Sequence, residues 1–136
     1  MATDTNVVAA LFLSGPRTSQ ARIAFRKDNE WIAPHLWRSE FRNILVSYMR
    51  RRELSTVQAL RLATTAERLF ERREMPVRSE RVLDLAAESG CTAYDCEFIA
   101  VAQDAGTLLV TDDFQLLLAF PGVAISLAAF VGDEST

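Results

Sequence analysis

Residues 92–114, TAYDCEFIAVAQDAGTLLVTDDF, constrain this chain most, because they run a helix straight into a buried strand and set carboxylates at both ends of the unit. Asp95 opens an amphipathic run with Phe98, Ile99, Val101 and Ala102 at helical spacing, and Gly106 closes it. Residues 108–110 then read as a short strand that ends on Thr111, Asp112 and Asp113. In an α/β chain, acids that end a strand or begin a helix face the crevice at the carboxyl ends of the strands, where such folds bind ligands.

The rest of the chain repeats the alternation. Residues 1–4 read as the remnant of a first strand, and an apolar run over 7–13 as a short helix stopped by Ser14, Gly15 and Pro16, which puts Asp4 at a strand-to-helix junction. A helix is expected over 18–27 and a strand over 30–33, which Pro34 breaks to start a long helix over 35–52. Glu40 falls between Leu36 and Ile44 at four-residue spacing, on or beside the core-facing side, with Asn43 and Ser47 along the same row. A carboxylate turned inward is costly unless it is paired, hydrogen-bonded or metal-bound.

Ser55 with Gln58 three residues on forms a capping box for the next helix, expected over 55–73 with Leu54, Val57, Leu60, Leu62, Ala66, Leu69 and Phe70 on its lining and Arg61, Arg68, Arg72 and Arg73 toward water. A third strand is expected over 75–77, a helix capped by Ser79 over 80–89 and stopped by Gly90, a short helix over 113–119, and a last strand over 123–125. A terminal helical turn then frays into 132–136. Strands alternating with helices predict an α/β sandwich around a mostly parallel sheet, and the short hydrophobic strands suit burial on both faces.

Length and charge narrow the function. At 136 residues and 49% hydrophobic the chain suits one domain, and no apolar run or leader pattern marks a membrane span or signal peptide, so a cytoplasmic protein is expected. Cys91 and Cys96 with the lone His35 support neither a disulfide framework nor a zinc site and read as small buried residues. All 15 Lys and Arg lie from Arg17 to Arg81, and the nine acids up to Arg81 leave a balance of +6; the nine acids beyond Arg81 have no base among them, a balance of −9. Such halves can hold a polyanion's backbone on one side and metal ions on the other, although solvated arginine faces would look the same.

In a parallel sheet Asp4, Asp95 and Asp112 or Asp113 can gather at one edge, with Glu40 reaching them from its helix. Four carboxylates in one place suppress one another's ionisation unless a cation is present, and oxygen ligands alone select Mg²⁺ or Mn²⁺. No activated thiol, nucleophile elbow or lysine stands near the acids, which leaves metal-assisted hydrolysis with a phosphodiester as the best-fitting substrate. Two other classes stay open. An aspartyl-nucleophile phosphatase could use Asp4, but Asn6 stands where its second acid is wanted. A catalytically silent binding module would use the acids as caps.

Four stretches carry a family resemblance: Asp4-Thr5-Asn6-Val7, Glu40 within Ser39-Glu40-Phe41-Arg42-Asn43, Thr92-Ala93-Tyr94-Asp95, and Leu109-Val110-Thr111-Asp112-Asp113. In this order and spacing they resemble the signature blocks of PIN-domain ribonucleases, and the chain length resembles the VapC toxins of bacterial and archaeal toxin–antitoxin pairs. Only the first strand departs, with Ala2 and Thr3 where the family has bulky aliphatics. The resemblance implies a PIN-like three-layer α/β/α sandwich with four to five short strands, in a single domain over 1–136. It also implies a Mg²⁺ or Mn²⁺ site that cuts RNA, a homodimer, and an antitoxin partner whose tail covers the site. Asp4, Glu40, Asp95 and Asp113 match the metal-binding, catalytic acids; Thr5, Asn6, Asn43 and Thr111 match supporting positions; Asp112 either helps or caps a helix; Arg38 and Arg42 are candidates for the RNA backbone.

Overall fold

The computed structural model describes residues 1–132, so the tail expected to fray lies, from residue 133 on, outside the described residues. Among the described residues five two-residue strands alternate with helices. Strand β1 (Ala2–Thr3) leads into α1 (Thr5–Phe12) and α2 (Thr18–Lys27); β2 (Ala33–Pro34) leads into the hairpin of α3 (Leu36–Arg50) and α4 (Thr56–Leu69). Strand β3 (Glu74–Met75) is followed by α5 (Ser79–Ser89) and α6 (Ala93–Ala105), and β4 (Leu109–Val110) by α7 (Phe114–Ala119). Last come β5 (Ala124–Ile125) and α8 (Leu127–Val131).

Every strand pairing is parallel. Strands β1, β4 and β5 form one sheet in the order β1-β4-β5, and β2 pairs with β3 in a second. An isolated parallel bridge from Ala2 to Ile32 joins the two: the Thr3 amide donates to the Ile32 carbonyl at 3.1 Å and the Ile32 amide to the Met1 carbonyl at 3.0 Å. The result is the expected α/β arrangement with the sheet split into three and two strands. Parallel strands put all their carboxyl ends on one edge, and that edge carries Asp4 after β1 and residues 111–113 after β4.

Several local expectations shift. Pro34 lies inside β2 opposite Met75 instead of breaking the strand; it has no amide to donate, and the Ala33 amide makes the bond to the Arg73 carbonyl at 3.3 Å. Helix α6 is capped by Thr92, whose hydroxyl accepts the Asp95 amide, so Asp95 sits in the first turn and does not open the helix. That helix is buried over Cys96 and 98–102 because it crosses β1, β2 and β4 while α5 covers it, and its one-sided pattern is correspondingly weak.

Ser79 is the first residue of α5 and not its cap, whereas Gly90 ends the helix in the left-handed conformation at φ 74°. On α4 the capping box of Ser55 and Gln58 forms as expected, but Val57 and Leu60 are 60% and 66% exposed. The helix is seated instead through Ala59 and Ala66, two turns apart, a seam too narrow to cover the flanking apolar positions. Beneath it Trp37 packs on Phe70 with ring centroids 4.5 Å apart, and Trp31, Trp37, Phe41 and Phe70 are the largest fully buried side chains of the core. Both cysteines are free and buried.

Candidate active site

Asp4 is placed by the sheet and by its own helix. Its amide donates to the Val110 carbonyl at 3.3 Å, which locks the end of β1 beside the end of β4. Its Oδ1 accepts the Val7 amide at 2.9 Å and so caps α1, while its Oδ2 accepts the Thr111 hydroxyl. The capping reading of Asp4 is therefore correct as far as it goes, but a cap is ordinarily exposed, and this residue is only 7% exposed. Burial pushes its carboxyl up from 3.8 to about 6, against the opposing pull of the Thr111 and Val7 hydrogen bonds and of the Arg17 charge.

The other acids come to it from three elements. Glu40, in the second turn of α3, accepts the Thr5 hydroxyl at 2.7 Å. Asp95 enters from the first turn of α6. Asp113 caps α7, its Oδ1 accepting the Leu116 amide at 3.1 Å. All four line one cavity of about 240 Å³ together with Thr5, Asn6 and Asn43, and its apolar wall is Ile44, Phe98 and Leu116. Burial raises the Glu40 carboxyl, with Asp95 adding to the effect, and burial raises Asp95, with Asp113 adding to it. Among the described residues no lysine, arginine or histidine lines this cavity.

Thr111 is buried at the base of the site, where its hydroxyl bonds Asp4 and accepts the Asp113 amide at 3.0 Å. Asp112 is turned away: its Oδ2 takes the Arg17 guanidinium at 2.5 Å and its Oδ1 the Leu127 amide at 3.0 Å, so it ties α2 and α8 together. Arg38 is not at the cavity either; its guanidinium grips Glu74 at 2.6 and 2.8 Å and Glu67 at 3.2 Å. Arg42 is exposed on α3, two residues beyond Glu40.

Three wall residues escaped the sequence reading although a signal existed. Ile44 lies four residues after Glu40, Phe98 three after Asp95 and Leu116 three after Asp113, each one helical turn from its acid. Arg17, whose charge reaches Asp4, and Glu97, whose carboxyl is raised by burial and by nearby Glu40, carry no such local sign.

The donor set suits a hard cation: four carboxylates in one cavity, with Asp4, Glu40 and Asp95 holding their protons more tightly than usual and no base in the lining among the described residues. Among the described residues no three carboxylate, imidazole or thiol groups stand close enough to share one ion, so the acids ring the cavity without converging on a point.

Comparison with known proteins gives this arrangement its class. The PIN domain family model matches residues 1–119, and the chain belongs to that family. A curated relative, Ribonuclease VapC3 of Pyrobaculum aerophilum, is 29% identical over 123 residues, which cover 88% of this chain and 94% of the relative. Among the described residues no helix is long and apolar enough to cross a membrane.

Proposed function

We propose that this chain is a metal-dependent endoribonuclease that hydrolyses phosphodiester bonds of RNA and acts as the toxin of a toxin–antitoxin pair. The single observation that carries the nuclease reading is the meeting of Asp4, Glu40, Asp95 and Asp113, from four separate parts of the chain, in one cavity whose lining holds no basic side chain among the described residues. The relative's description as a ribonuclease supports RNA as the substrate. The motif resemblance further implies an antitoxin and a second copy of the chain as partners, for a protein read from its sequence as single-domain and cytoplasmic.

In this reading Asp4, Glu40, Asp95 and Asp113, which ring the cavity without converging, would close on Mg²⁺ or Mn²⁺ when it binds. When bound, the cation neutralises charge developing on the phosphate and makes a bound water more acidic. The protein's own contribution is orientation. Thr111 holds Asp4 and the start of the 112–113 turn, Thr5 holds Glu40, and the helix caps at Asp4 and Asp113 each engage one carboxylate oxygen. Asn6 and Asn43 supply amides at the rim for a phosphate or ribose oxygen. Ile44, Phe98 and Leu116 keep the far wall dry, which strengthens every charge interaction inside.

The test is cleavage of total tRNA and ribosomal RNA with Mg²⁺ or Mn²⁺, read at nucleotide resolution, by the parent and by Asp4→Asn. The parent cuts and the variant, folded by circular dichroism, does not; equal cutting by both would remove Asp4 from the site. Calorimetric Mn²⁺ titration separates this reading from a silent module, because residues that serve only as helix caps bind no ion.

A further inference from the structure

We propose that a second cavity, sharing a wall with the acidic one, is a nucleotide subsite that receives the base beside the scissile phosphate. This inference rests on the nuclease reading and specifies where its sequence preference arises. The two cavities have Asn6 and Ile44 in common, so they lie side by side across those two residues. The second measures about 260 Å³, and beyond the shared wall Ala10, Leu13, Arg17 and Tyr48 line it. This is below the usual range for a pocket that encloses a drug-sized ligand, about 300–1,000 Å³. It suits one base with its sugar better than a longer ligand.

The lining has the chemistry a base requires. Ala10, Leu13 and Ile44 offer an apolar surface to a ring face, and the exposed Asn6 carries both a donor and acceptor for a base edge. Tyr48 is half-buried at the far side and offers an aromatic ring of the kind on which unpaired bases stack, and the Arg51 guanidinium, 4.5 Å from its ring centroid, packs on it from outside the cavity lining. Arg17 brings positive charge to the rim and is held there by Asp112. Helix α3 thus serves two purposes along one row: Glu40 and Asn43 at the acids, Ile44 on the shared wall, and Tyr48 in the subsite. A protein segment laid along the same groove is the competing occupant. The small volume and the position beside the acidic cavity favour a nucleotide.

The experiment compares the full-length parent with Tyr48→Ala and Arg51→Ala in Mn²⁺. One substrate is a random-sequence single-stranded RNA pool sequenced at its cut ends; the other is bis(p-nitrophenyl) phosphate, a phosphodiester without a base. Tyr48→Ala is expected to lower kcat/KM on RNA by about tenfold, mostly through KM, as loss of one stacked base should. It should also flatten the base preference at one position next to the cut while leaving hydrolysis of the small ester unchanged. Arg51→Ala, whose side chain is exposed and can be lost without disturbing the core, should shift both RNA readouts the same way by a smaller factor. Unchanged RNA kinetics and base preference in both variants would overturn the subsite. So would a Tyr48→Ala variant that loses both substrates equally while Arg51→Ala loses neither, since that pattern marks a structural tyrosine. A folded parent that hydrolyses neither substrate takes the nuclease reading down first, and the subsite with it.

Discussion

At the carboxyl edge of the sheet four acids share a cavity with no base in its lining among the described residues; at the amino edge Arg68, Arg72 and Arg73 line an open cleft of about 550 Å³ beside Glu71. The neighbouring arginines have partners: Arg73 faces Glu30 at 3.9 Å, and Arg38 is clasped by Glu74 and Glu67. Both ends concentrate one sign of charge, but only the acidic end buries one of its charges, Asp4, in a cavity lined by no basic side chain among the described residues. An ion pair near the surface is nearly neutral in free energy, whereas buried like charges oppose folding and persist only where something else uses them. Asp112 and Asp113 make the same point between adjacent residues. Asp112 has an arginine and anchors α2 to α8, while Asp113 has none and lines the cavity.

The sharpest way to break this contrast is to remove one acid from the cavity. Asp4→Asn and Asp113→Asn should each reduce metal-dependent RNA cleavage by about 10³-fold, the rate equivalent of several kcal/mol of transition-state charge stabilisation. Asp112→Asn should cleave almost as well as the parent. If the two neighbours reversed roles in that assay, the placement of the active-site acid would be wrong.

Removing the same acid should stabilise the metal-free protein. The folded Asp4 carboxyl titrates at about 6 in place of 3.8, so the native state binds its proton more tightly than the unfolded chain does. The carboxylate therefore opposes folding by nothing below pH 3.8 and by its full amount above about pH 6. A shift of this size corresponds to about 3 kcal/mol. Asp4→Asn should raise Tm at pH 7.5 by roughly 5–10 °C, and the gain should fade as the pH is lowered toward 4. Mn²⁺ should reverse the order by stabilising the parent alone. A Tm difference independent of both pH and Mn²⁺ would contradict the electrostatic account.

Among the paired groups of the basic end the effect should be one of stability alone. Glu74→Ala strands the Arg38 guanidinium and the Trp37 indole, which donates to Glu74 at 2.8 Å, and should cost about 1–3 kcal/mol in urea unfolding with cleavage per folded molecule unchanged. The smallest effect is expected from the exposed Arg42→Ala, which should weaken RNA binding evenly across sequences and lower the salt slope of log K by about one. A change in base preference there would move Arg42 from a backbone contact to a reader of sequence.

Local chemistry was legible wherever neighbours in sequence settle it. The Ser55 box, the left-handed Gly90 and Gly106, and helix α2 over 18–27 all depend on residues within a turn of each other. The exposure of Val57 and Leu60 was not legible, because apolar spacing shows which residues could face a core and not how wide a core awaits them. Pro34 was misjudged for a similar reason: a proline ends a strand only where its missing amide is needed, and opposite β3 the neighbouring Ala33 supplies the bond.

The sequence by itself determined which acids existed and that Asp4, Asp95 and Asp113 stood near helix starts, since strand-to-helix junctions are local and each of the four motifs is contiguous. Only the tertiary structure decided that Asp4 is buried against Thr111, that Asp112 turns to Arg17 while Asp113 lines the cavity, and that Arg38 belongs to Glu74. Those outcomes depend on side chains 36 to 107 residues apart in the chain, whose meeting follows from the parallel register of short strands and leaves no trace in any window of the sequence.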